Sequence, residues 1–134
     1  MAESATILLP DISGYTEFLT KTELVHSSHI INELLEAILA ANRGEFVLSE
    51  VEGDALLLYH KGKPIEADAL VRQCLSMFES FHTQLKIIER DSICHCGACK
   101  AASNLTLKFI AHHGVVQEIS SRSVRDSIWL SLTA

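Results

Sequence analysis

Between positions 65 and 90 the apolar residues Leu70, Val71, Cys74, Leu75, Phe78, Phe81, Leu85 and Ile88 recur at helical spacing. A helix that long with a continuous apolar stripe is stable only if the stripe lies against another apolar layer, so the rest of the chain must supply one. A second stripe lies at 23–41, where Ile31, Leu34, Leu35, Ile38 and Leu39 share one helical face and Asn42-Arg43-Gly44 reads as the stop. Two helices of this kind call for a sheet.

The remaining segments supply it. Residues 6–9 form a short apolar run rich in strand formers that halts at Pro10-Asp11, which reads as a buried strand with an acidic tip. Asp11, Ser13 and Gly14 then make a turn before a short helix over 15–21. Two strand-like runs, 45–51 and 55–59, are separated only by Glu52-Gly53-Asp54 and pair as a hairpin carrying a second acidic tip. After the long helix, alternation over 105–112 reads as a strand, and Gly114 is expected to turn it into a partner through Val115, Val116 and Ile119. The order β-α-α-β-β-α-β-β predicts an α+β domain of the ferredoxin-like, split βαβ kind, with an antiparallel sheet and its helices on one face. Residues 121–134 form a poorly defined tail that has room for a turn or two of helix around Val124, Ile128 and Trp129.

With 134 residues, 48% of them hydrophobic, the chain is read as one domain over 1–134 with a single core. A formal net charge of −6 and scattered lysines and arginines leave no basic stripe for a phosphate backbone, so nucleic acid is excluded as a partner class. Glu3 and the brevity of the apolar patch at 5–9 argue against a signal peptide, and no apolar stretch is long enough to span a bilayer, so a cytoplasmic protein with no membrane partner is expected.

Aspartates at two adjacent strand ends can hold a hard divalent cation through carboxylate oxygens, water and phosphate. The same residue type at a strand end is also a common turn former or helix cap, and spacing alone does not choose between these readings. The residues themselves carry a resemblance. Asp11-Ile12-Ser13-Gly14-Tyr15-Thr16 resembles the D-I-x-G-F-T motif of the class III adenylyl and guanylyl cyclases, and Glu50-Val51-Glu52-Gly53-Asp54 resembles their K/E-x-x-G-D hairpin. The motifs come in the family's order, with two helices between them and a long helix after, and the likeness runs from about residue 5 to 119. It implies a nucleotide cyclase-like fold in which Asp11 and Asp54 bind Mg2+ or Mn2+ and the turn Ile12, Ser13, Gly14, Tyr15 and Thr16 holds the phosphates of a purine nucleotide. Glu50 stands where the family reads the base, lysine going with adenine and glutamate with guanine; read without the family, it is a solvated strand residue. Family members share each active site between two subunits, so a homodimer is implied.

The chain departs from the family in two respects. No segment resembles the later G-x-x-V-N-x-A-x-R helix whose Asn and Arg stabilise the transition state, and the sequence stops before the family's last strands, so a domain truncated at its C-terminus and without cyclase turnover is expected. Within the insert at 91–104, Cys94, Cys96 and Cys99 place three thiols in a C-x-C-x-x-C spacing that suits Zn2+, with His95, His112, His113 or Cys74 as the fourth ligand. A loop of reduced thiols fits the same residues, and Cys74 itself reads as a core thiol. The enzyme-like reading therefore has an alternative, a non-catalytic regulatory or protein-interaction module whose cysteine insert holds a structural metal.

Overall fold

The computed structural model describes residues 2–20, 24–91, 102–120 and 128–132. Its elements are β1 (Ala2–Ser13), α1 (Tyr15–Thr20), α2 (Leu24–Ala40), β2 (Val47–Glu52), β3 (Ala55–Lys61), α3 (Ala67–Asp91), a single 3-10 turn (Ala102–Asn104), β4 (Thr106–Ser120) and β5 (Ile128–Leu132). The strands form one five-stranded sheet in the order β2-β3-β1-β4-β5, with every recorded pair antiparallel. This is the expected α+β fold: β3 lies between β1 and β2, and β1 lies between β3 and β4, the interleaving that defines a split βαβ arrangement.

Alternation along the strands separates the two faces of the sheet. Leu8 and Ile12 of β1, Leu56 and Leu58 of β3 and Leu107 of β4 point to the helices, where they pack with Ile31, Leu34, Leu35 and Ile38 of α2 and Met77, Phe81 and Leu85 of α3. Each of these leucines and isoleucines, buried fully, contributes about 1.5–3 kcal/mol relative to exposure. The opposite face holds only a small buried cluster, Ala5, Ile7 and Val116 with Leu57 packed against it. The edge strands β2 and β5 also approach each other, so the sheet is strongly rolled.

A polar clip joins the two long helices. Gln73 of α3 is 3% exposed; its Nε2 donates to the Ala41 carbonyl at 2.8 Å, and its Oε1 accepts from the Arg43 backbone N–H at 3.0 Å. Ser80 Oγ donates to the Ala37 carbonyl at 2.7 Å. These bonds satisfy backbone groups that the end of α2 would otherwise leave orphaned inside the layer.

Four expectations are corrected. The first strand does not end at Pro10-Asp11: β1 continues to Ser13, and its register with β3 resumes at Asp11↔Ala55 on the far side of Pro10. The proline costs the ladder one donor without ending the strand, because β4 pairs continuously along the other edge of β1. Gly114 makes no hairpin. It lies within β4 opposite Ala5, and its missing side chain admits the His112 ring, whose Nε2 would stand 2.9 Å from a Cβ. The partner of β4 is instead β5, so Ile128 and Trp129 are strand residues where a helical turn was expected. Finally, the apolar stripe of α3 is only partly buried, with Val71, Leu75 and Phe78 lying 54%, 55% and 39% exposed. Cys74 is half-buried against the core, where burial raises its thiol pKa. The insert cysteines Cys94, Cys96 and Cys99, and Val124 of the tail, lie outside the described residues.

Candidate functional site

Both acidic tips are set by local turn chemistry. Gly14 ends β1 with φ +91°, a conformation that side chains rarely adopt, and a Cβ there would stand 3.2 Å from the Asn104 carbonyl oxygen. Gly53, at φ +56°, turns β2 into β3 and leaves Asp54 at the tip. The tips are tied together where the Ile12 backbone N–H donates to the Asp54 carbonyl at 2.9 Å. Ile12 itself is buried in the core, so it anchors the turn to the helix face.

Asp11, Ile12, Ser13, Gly14, Tyr15, Thr16 and Asp54 line a single cavity of about 200 Å³, together with Glu17 and Lys108. The structure thus brings together both aspartates and the whole turn read from the sequence. It also adds Lys108, which lies on β4 directly opposite Asp11, its Nζ 3.4 Å from Asp11 Oδ2. On pattern alone Lys108 is one more polar residue of an alternating strand; only the pairing register places it beside the carboxylates. Glu50 is outside the cavity. It pairs with Leu57, two residues along β3 from Ala55, and Ala55 pairs with both Glu52 and Asp11. Directly paired residues point to the same side, so Glu50, Glu52, Asp11 and Lys108 all project from the face that carries no helices.

The electrostatics follow from this grouping. Burial raises the Asp54 carboxyl above its ordinary value of 3.8; its own backbone N–H and Lys108 pull it down, while the charge and hydrogen bond of Asp11 push it up. Glu50, half-buried on the edge strand, is raised by desolvation and then by the charge and hydrogen bond of Glu52. Two carboxylates that repel each other beside a lysine form a site in which a cation would relieve the repulsion. Among the described residues no group of three His, Cys, Asp or Glu is placed to hold a metal, although Glu17 lines the same cavity, so other oxygens would have to complete the coordination of Mg2+ or Mn2+. The donor set fits such an ion.

A larger cavity, about 620 Å³, lies between the end of α2 and α3, lined by Ala37, Ala41, Arg43, Ser76, Ser80 and Thr83 among others. Volume alone would favour it, but it has one carboxylate, Glu79, and no second acid to share a cation. His113 is bonded through Nδ1 to Thr6 Oγ1 at 2.9 Å, and His112 is exposed on the other side of β4. No helix among the described residues is long and apolar enough to cross a membrane.

The chain's fold is that of the nucleotidyl cyclase catalytic domains. The adenylyl cyclase CyaB from P. aeruginosa superposes with a TM-score of 0.72 at 14% identity, over 98% of this chain and 66% of that one. The catalytic core of a rhodopsin-guanylyl cyclase with converted specificity, solved in complex with ATPalphaS, superposes with a TM-score of 0.62 at 21% identity, over 98% of this chain and 68% of that one. In sequence, the chain is 34% identical over 86 residues to the uncharacterized protein Rv2561/Rv2562 of Mycobacterium tuberculosis, a match that takes in 64% of this chain and 40% of that protein. Residues 31–129 match the model of the family described as "Protein of unknown function (DUF2652)", and the chain belongs to that family.

Proposed function

We propose that the domain binds a divalent cation and, through it, the phosphates of a purine nucleoside triphosphate. The observation that carries this reading is the cavity in which Asp11, Asp54 and Lys108 converge beside the Ile12 to Thr16 turn. In it, Asp11 and Asp54 would hold Mg2+ or Mn2+, which would supply positive charge for the phosphates, and Lys108 would exchange its contact with Asp11 for one with a phosphate oxygen. At about 200 Å³ the cavity admits an ion and phosphates but not a whole nucleotide, since complete small-molecule sites start near 300 Å³. The ribose and base therefore extend over the open sheet face. Glu50 lies two residues along and two strands across from Asp11, roughly 12 Å away by strand geometry, at the edge where a base would end. A carboxylate there accepts hydrogen bonds from guanine N1–H and its exocyclic amine.

The proposal is one of binding, without turnover. Attack on the α-phosphate builds negative charge that positioned side chains must stabilise, and these 134 residues contain no counterpart of the family's Asn and Arg. Calorimetric titration with Mn2+ followed by GTP or ATP tests the site. Nucleotide binding that requires the metal, and that Asp11→Asn and Asp54→Asn each abolish, is expected; metal-independent binding, or binding indifferent to both changes, rejects it.

A further inference from the structure

Helix α3 carries two apolar stripes, and the fold buries one. Phe81, Met77 and Leu85 point into the core. Val71, Leu75 and Phe78 lie on the flank away from Ser80 and Gln84, which bond to α2, and they are exposed by 54%, 55% and 39%. Spaced i, i+4, i+7, with His82 at i+11, they form the narrow seam of a coiled-coil helix. The His82 ring extends this surface: it lies 4.3 Å from Phe78 and 5.0 Å from Phe81 between centroids, with Nε2 3.2 Å from Thr106 Oγ1. Beside the seam runs an exposed charged row of alternating sign, Asp68, Arg72, Glu79 and Lys86.

We propose that this seam is a self-association surface on which α3 packs antiparallel against α3 of a second copy about a two-fold axis near residues 76 and 77. Two features favour a second copy of this chain. Antiparallel alignment about that axis places Leu75 against the partner's Phe78 and Val71 against the partner's His82, so each large side chain meets a complementary layer. The same alignment brings Arg72 within about two residues of the partner's Glu79 and Asp68 within about one of the partner's Lys86 along the same flank, each pair occurring twice. Parallel alignment would set each charge against its own copy, so the row selects the antiparallel form. The seam from Val71 to His82 is about 17 Å long at the helical rise, which suits a reversible, concentration-dependent dimer. This surface lies on the helix side of the domain and does not depend on the nucleotide reading.

Sedimentation velocity of the whole chain over a concentration series is the test, with circular dichroism to confirm that each variant is folded. The expected result is a monomer–dimer equilibrium that Leu75→Glu shifts to monomer by at least about tenfold in dissociation constant, the loss typical of a central apolar anchor. Arg72→Glu weakens it, and Arg72→Glu combined with Glu79→Arg recovers it, because the swap restores both pairs. Ile110→Glu, on the open sheet face, leaves it unchanged. A chain that stays monomeric throughout overturns the proposal. So does a dimer that ignores Leu75→Glu, one that the charge swap does not recover, or one that Ile110→Glu alone dissolves.

Discussion

The two faces of the sheet differ in what their side chains do. Under α2 and α3, strand residues are apolar and buried, and the principal polar group among them, Gln73, spends both ends of its amide on the end of α2. On the opposite face Asp11, Lys108, Glu50 and Glu52 share a surface with a small apolar cluster, and the carboxyls of Asp54 and Glu50 are raised by burial and by their acidic neighbours. One face is satisfied as it stands; the other groups like charges that a cation would relieve. Stability is thus concentrated on the helix side, which leaves the open side free to carry groups that fold poorly together but bind well.

This division can be broken from the helix side first. Phe81→Ala empties a fully buried position and should cost about 3–5 kcal/mol, read as a lowered midpoint in urea. Gln73→Ala leaves the Ala41 carbonyl and the Arg43 N–H without their partner and should cost about 1–3 kcal/mol by the same measurement. On the open face Asp54→Asn should have the opposite character. It removes a repelled carboxylate, so urea stability near neutral pH should stay the same or rise slightly while metal binding is lost. A loss of stability comparable to that of Gln73→Ala would mean that the acidic tips serve the fold.

The smallest effect is in pH. The folded chain holds the Asp54 proton to a higher pH than the unfolded chain does. That contribution to stability is therefore complete below the ordinary aspartate value and is lost as pH rises through the folded value. Asp54→Asn should flatten this segment of the stability profile. Because the ion binds the deprotonated carboxylate, metal affinity should begin to fall on acidification at a higher pH than for an ordinary aspartate; an affinity constant across this range would contradict the pairing of the two acids.

What could be read from the sequence divides along similar lines. The order of elements through α3, the apolar faces of α2 and α3 and both acidic turns were legible, because periodicity and turn chemistry are local: Gly14 and Gly53 sit where backbone φ is positive, and their neighbours carry the motif. Features fixed by pairing were not. Pro10 reads as a strand end until β4 is seen to hold β1 through it, and Gly114 reads as a turn until it is found opposite Ala5. Lys108 gains its meaning only from the register that sets it against Asp11. Gln73 looks like a polar interruption of α3, and becomes a cap only once α2 ends beside it. The stripe on α3 is wider than one contact can bury, and periodicity does not say which part of it stays exposed.

Paramagnetic broadening of backbone amide signals by Mn2+, with GTP or ATP then added, tests the metal–nucleotide site most directly. Mn2+ should broaden the amides of Asp11 to Thr16, Asp54 and Lys108 first, nucleotide should then shift Glu50, and Asp54→Asn should abolish both responses while the α2 and α3 signals stay unchanged. Broadening centred elsewhere, or tips that remain unaffected by Mn2+ and millimolar nucleotide, would contradict it.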